Sequence, residues 1–130
     1  ENYNVSELVD SCLSKNKKKT TNILNENNYT LEDCILIIRT FLMKSKRLVK
    51  LCNELKKTNN IDATISSSKP PIFWKEKETV RQQLKSWTLA DVKKLTYQIS
   101  EIELLIKKHN NSSISILFDF IIETASPINN

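Results

Sequence analysis

The sequence predicts an all-α protein, a compact bundle of about five to six helices, and three observations carry that expectation. Glycine is absent from all 130 residues, which removes the residue that tight hairpin turns most often need at positive φ and argues against a many-stranded sheet. Apolar side chains recur at three- and four-residue spacing over long stretches, the period of a helix with one buried face. One capping pattern also recurs: a polar residue followed three positions later by a carboxylate, at Asn4 with Glu7, Thr30 with Asp33 and Thr88 with Asp91.

Taken in chain order, the first helix is expected from Asn4, with Tyr3 and Leu8 closing over the cap as an apolar staple. A short second helix over residues 17–25 carries Ile23 and Leu24 and pairs with the first. The third start, at Thr30, has Tyr29 packing toward Cys34. It opens a helix to about Lys57, about 40 Å long at 1.5 Å per residue. Its expected inner face is Leu31, Cys34, Ile35, Ile38, Leu42, Val49, Cys52 and Leu55. Residues 58–68 are polar, aperiodic and hold three consecutive serines, the composition of a mobile loop.

Lys69-Pro70-Pro71-Ile72-Phe73-Trp74-Lys75 comes next. Two prolines hold this segment extended, so Phe73 and Trp74 are delivered at a fixed place, where large aromatics ordinarily bury as core anchors. Pro70, Pro71, Phe73 and Trp74, together with Trp87 at the following junction, are the expected structural hinge. Residues 76–86 form a surface helix with Val80 and Leu84 on its inner edge. Thr88 then caps a helix to Lys108, with Trp87 packing toward Val92; Val92, Leu95, Ile99, Ile102 and Ile106 share one stripe, and Glu103 and Lys107 are spaced to pair. After a corner at Asn110-Asn111, Ser112 or Ser113 caps a last helix over residues 114–124 that is apolar on almost every side. Such a helix is either central in its own domain or covered by another chain. Residues 126–130 are expected to fray.

Length and composition bound the rest. With 39% hydrophobic residues, 130 residues make one domain with one core. Residue 1 is not Met and no secretory leader follows it, so the sequence reads as a piece of a longer chain. No apolar run has the length of a membrane span. Cys12, Cys34 and Cys52 are odd in number and widely spaced, which fits reduced thiols in the cytoplasm better than a disulfide framework or zinc site. The formal charge of +5 suits an acidic partner or nucleic acid without choosing between them. Arg39, Lys44, Lys46, Arg47 and Lys50 crowd the middle of the long helix, and Arg39, Lys46, Arg47 and Lys50 are the residues that would touch a DNA backbone, against the commoner role of a solvated face.

Residues for catalysis are hard to assemble. Without glycine there is no P-loop, dinucleotide fingerprint or nucleophile elbow. His109 stands alone at a helix end beside Lys107 and Lys108, where a cation suits the helix dipole. Glu76 with Glu78, and Glu101 with Glu103, lie two apart and point to different sides of a helix. The aspartates are scattered singly, so no catalytic residue, metal or cofactor is expected.

The segment Pro70-Pro71-Ile72-Phe73-Trp74-Lys75, the helix through Arg81 and Leu84, the junction Lys85-Ser86-Trp87-Thr88 and the stretch Ile102-Glu103-Leu104-Leu105-Ile106-Lys107 stand in a telling order. That order resembles the C-terminal helical domain of the delta subunit of bacterial DNA polymerase III, a component of the sliding-clamp loader. The likeness extends upstream, where a short helix pair and a long apolar and basic helix from Leu31 are similar to the start of that domain, so it covers nearly the whole chain. The corners depart from it, carrying Asn and Lys where the family has small residues and glycine. The resemblance implies a helical collar domain, residues 1–130, whose AAA+-like and clamp-opening regions lie N-terminal to it and are not in this sequence. It implies no active site of its own within the polymerase holoenzyme. Its partners would be the delta-prime and gamma/tau subunits through the collar, the sliding clamp through the N-terminal region, and DNA weakly. Under this resemblance Phe118, Phe120 and Ile121 are the expected subunit interface or core residues of the last helix. The alternative is a stand-alone helical nucleic-acid-binding domain that uses the basic long helix.

Overall fold

A computed structural model describes residues 2–127, with side chains from residue 5 onward. Among the described residues there are seven α-helices and no strand: α1 (Asn2–Leu13), α2 (Lys17–Glu26), α3 (Leu31–Thr58), α4 (Ile61–Ser66), α5 (Lys77–Ser86), α6 (Leu89–Lys108) and α7 (Ser113–Ala125), with 3-10 turns at Trp74–Glu76 and Asn110–Ser112. The all-α bundle is therefore as the sequence predicts, with one short helix more than the pattern shows.

Capping places the ends. Thr30 and Asp33 bond reciprocally, the Thr30 N–H donating to Asp33 Oδ2 at 2.9 Å and the Asp33 N–H to Thr30 Oγ1 at 3.2 Å, which satisfies two donors at the head of α3. Thr88 Oγ1 accepts from the Asp91 N–H at 3.1 Å at the head of α6, and Asn16 and Asn60 cap α2 and α4 in the same way. The α1 backbone is already helical at Asn2, ahead of the expected start at Asn4. The Asn4 cap and the Tyr3 staple involve side chains outside the described residues, as does most of the expected frayed end. Tyr29 sets its ring edge-on to Phe118 with centroids 5.2 Å apart, and Ser112 makes no side-chain cap. Instead Ser113 donates its hydroxyl back to the Ile106 carbonyl at 3.1 Å, tying α7 to α6. With no glycine, the two left-handed positions among the described residues fall on Lys15 and Asn59, each closing a corner after a helix.

Two expectations are corrected. Residues 58–68 are not a loop: Asn59 closes α3, Asn60 caps α4, and Thr64 and Ile65 are buried. A six-residue helix is too short to print a period in the sequence. The buried face of α3 is Cys34, Ile37, Ile38, Phe41, Lys44, Ser45, Leu48, Leu51 and Cys52, rotated from the expected stripe, which left out Ile37, Phe41, Leu48, Leu51 and the two polar positions. Leu31 is exposed, and Ile35, Leu42, Val49 and Leu55 lie at the margins. Of the two alternatives for the last helix the first holds: α7 is central in its own bundle, in contact with α1, α2, α3 and α6. The pair α3 and α6 forms the other axis of the core. On α6, Val92, Leu95, Ile99 and Ile106 are buried as expected, and Glu103 pairs with Lys107 at 3.2 Å.

Candidate functional site

The middle of α3 carries the basic residues, and packing sorts them. Lys44 is 8% exposed and donates to Asp10 Oδ2 on α1 at 2.8 Å. Gln83 of α5 donates to the other Asp10 oxygen at 3.3 Å, so three helices share one carboxylate. A buried ammonium requires such a partner, since burial of a bare charge is costly. Lys44 thus belongs to the scaffold.

Met43, Arg47, Lys50 and Glu54 follow one another at four- and three-residue steps along one edge of the same helix, Met43 and Lys50 exposed and Arg47 and Glu54 half-buried. Facing them are Ser6 of α1, the turn at Ser67–Pro70 and Glu76. Together they enclose a groove of about 740 Å³. Arg47 donates to Glu76 at 3.2 Å and Lys50 to the Lys69 carbonyl at 2.7 Å, fastening the far wall to α3. Lys46 lies on the rim and is exposed. Of the four expected DNA-contacting residues, the structure gathers Lys46, Arg47 and Lys50 at this groove. Arg39 is exposed two turns away and does not line it.

The hinge residues separate. Ile72 is the buried member of its segment, at 6% exposure, while Trp74 is 68% exposed and Phe73 is also exposed. The two rings lean on each other with centroids 5.9 Å apart, and Lys75 Nζ lies 5.4 Å from the Trp74 centroid. The expected burial of Phe73 and Trp74 is therefore corrected: Ile72 takes the inward position of the extended segment, and the 3-10 turn at Trp74 carries the next side chains outward. Trp87 is seated as expected of a hinge. Its indole N–H donates to the Leu13 carbonyl at 2.7 Å and its ring lies 3.9 Å beneath Lys15 Nζ. The same ammonium donates to the Thr124 carbonyl at 2.8 Å, a cation at the C-terminal end of α7. One indole and one lysine thereby join the ends of α1 and α7 to the junction between α5 and α6.

The expected interface residues of α7 are turned into the domain. Ile121 is 1% exposed. Phe120 leans on Phe41 with centroids 5.8 Å apart, and Phe118 meets Tyr29. Ile121 takes the core role and has no surface left for a neighbour, while Phe118 and Phe120 are partly buried against the core. Large apolar side chains do stand out of α6 instead: Tyr97 and Leu104, seven residues and hence about two turns apart, share its outer face, with Leu104 at 68% exposure.

Cys12, Cys34 and Cys52 are buried free thiols. Burial raises the Cys12 thiol above its ordinary range, with Lys15 pulling weakly the other way, and burial raises Cys34 and Cys52 too. His109 lies exposed at the end of α6, its backbone N–H bonded to the Leu105 carbonyl. Among the described residues no group of three His, Cys, Asp or Glu converges as a metal site, and no helix is long and apolar enough to cross a membrane. Comparison with protein-family models, curated proteins and solved structures finds no match to this chain.

Proposed function

We propose that this chain is a non-catalytic assembly domain of the clamp-loader collar type, the C-terminal helical part of a delta-like subunit of bacterial DNA polymerase III. In this reading it holds its subunit beside delta-prime and gamma/tau while other regions open the sliding clamp at primed DNA in the cytoplasm. The observation that carries the reading is the order of the marker segments. Pro70 to Lys75 leads into α5, Trp87-Thr88 joins α5 to α6, and Ile102 to Lys107 is the last turn and a half of α6. Each marker thus falls at a joint or helix of one all-helical bundle, the architecture the resemblance implies. Support for lateral docking comes from Tyr97 and Leu104, exposed apolar residues in and beside the last marker. The docking face proposed for a neighbouring subunit accordingly belongs to α6, since Ile121 is buried in the core and Phe118 and Phe120 pack against it.

Sedimentation of the protein with bacterial delta-prime and gamma/tau subunits tests this. A joint complex that is lost on Leu104→Glu, with the helical spectrum unchanged, is the expected result. Failure to enter such a complex overturns the reading. The nucleic-acid alternative expects duplex or single-stranded DNA to bind the protein alone, with affinity falling steeply between low and moderate salt.

A further inference from the structure

The groove beside α3 has a composition of its own. Its apolar lining is made by Pro70, the flexible thioether of Met43, which is 63% exposed, and the edge of the nearly buried Leu51. Methionine at an open surface is an adaptable contact for a partner's side chains. The rim is charged, with Lys46, Arg47, Lys50 and Lys69 against the two carboxylates Glu54 and Glu76, and the buried Lys44 lies behind it. Lys44, Arg47 and Lys50 already hold Asp10, Glu76 and the Lys69 carbonyl. The ammonium groups of Lys46 and Lys69 have no partner among the described residues.

We propose that this groove docks an acidic amphipathic helix of another protein, apolar side chains on the lining of Met43, Pro70 and Leu51 and carboxylates on Lys46 and Lys69. The proposal is independent of the collar reading. The dimensions suit it: from Met43 to Glu54 the α3 edge runs about 16 Å, or three turns, the length over which a bound helix presents anchors at three- and four-residue spacing. A nucleic-acid backbone fits less well. Its phosphates would pass Glu54 and Glu76, only two cations are unengaged, and no aromatic side chain lines the groove to stack a base. An apolar lining also has nothing to offer a phosphate, whereas it matches the buried face of an amphipathic helix. A second copy is disfavoured by charge, since each chain carries a formal +5.

The test is selection of a displayed random-peptide library on the wild-type protein, with counter-selection on the double variant Lys46→Glu, Lys69→Glu. Both side chains are exposed and unpaired, so the variant is expected to keep its helical spectrum and melting temperature. Enriched peptides should carry Asp or Glu with apolar residues three and four apart. A synthetic peptide of the enriched sequence should bind the double variant at least about tenfold more weakly, and Met43→Ser should weaken it as well. Enrichment of basic or featureless sequences, or equal affinity for wild type and double variant, overturns the proposal. So does tighter binding of a labelled oligothymidylate than of the peptide, or a wild-type dimer that the double variant abolishes.

Discussion

The chain holds two tryptophans, thirteen residues apart in one connecting region, and the fold treats them oppositely. Trp87 is half-buried, bonded through its indole N–H to the Leu13 carbonyl and covered by Lys15. Trp74 is largely exposed, with Phe73 and Lys75 beside it. Ring size is the same, so hydrophobicity alone does not decide which one is buried. What differs is the polar end. At the α5–α6 junction the carbonyl of Leu13, left over at the end of α1, lies within reach of an indole donor, and burying the ring satisfies both groups. At the proline segment the inward position belongs to Ile72, which has no polar atom to satisfy and fits against the core. A tryptophan anchors where a carbonyl awaits it.

The largest test of this contrast is Trp87→Ala. Removing the ring, its bond to Leu13 and the surface under Lys15 should cost about 3 kcal/mol, a fall in melting temperature on the order of 10 °C. Ile72→Ala comes next, at about 2 kcal/mol, because a nearly buried branched side chain leaves a void. Urea unfolding of the two variants, read by circular dichroism, checks the order; a smaller loss for Trp87→Ala than for Ile72→Ala would break the comparison. Trp87→Phe keeps most of the ring and deletes the donor, so it isolates the hydrogen bond at about 1 kcal/mol.

Much of this arrangement is legible in the sequence, for identifiable reasons. Thr30 with Asp33, Thr88 before Asp91, and Glu103 with Lys107 are local pairs whose partners lie within one turn, so their spacing alone predicts contacts that the fold makes. The expected inner face of α3 is misphased because apolar residues lie on several sides of the helix, so that Ile37, Phe41, Leu48 and Leu51 do not stand out, and because two of the buried positions are polar. Lys44 is matched by Asp10, thirty-four residues earlier, and Ser45 is simply small enough to fit, its hydroxyl buried without a partner. Neither fact is local. For the same reason the apolar surface of α7 does not reveal whether its cover is the same chain or another; Tyr29 and Phe41, far away in sequence, supply it. The groove was half visible: Lys46, Arg47 and Lys50 share a helix, but Lys69, Pro70 and Glu76 reach them only after α4, which has no periodic signal, has turned the chain back.

The smallest expected effect sharpens the comparison most. Trp74→Ala removes a largely exposed ring that leans on Phe73 and Lys75, both themselves exposed, so unfolding free energy should change by less than about 0.5 kcal/mol, as for most surface substitutions. Fluorescence separates the two indoles before any unfolding. In the folded protein acrylamide should quench a large share of the emission, and Trp74→Ala should remove that share, leaving the slowly quenched signal of Trp87 beneath Lys15. The reverse pattern, quenching retained in Trp74→Ala and lost in Trp87→Phe, would mean that the indole bonded to Leu13 is the open one, and the argument from the waiting carbonyl would fail with it. A stability loss in Trp74→Ala as large as that of Ile72→Ala would have a different meaning: the proline segment would then be held by its aromatic pair, and burial of Ile72 would be a consequence of that hold rather than its cause.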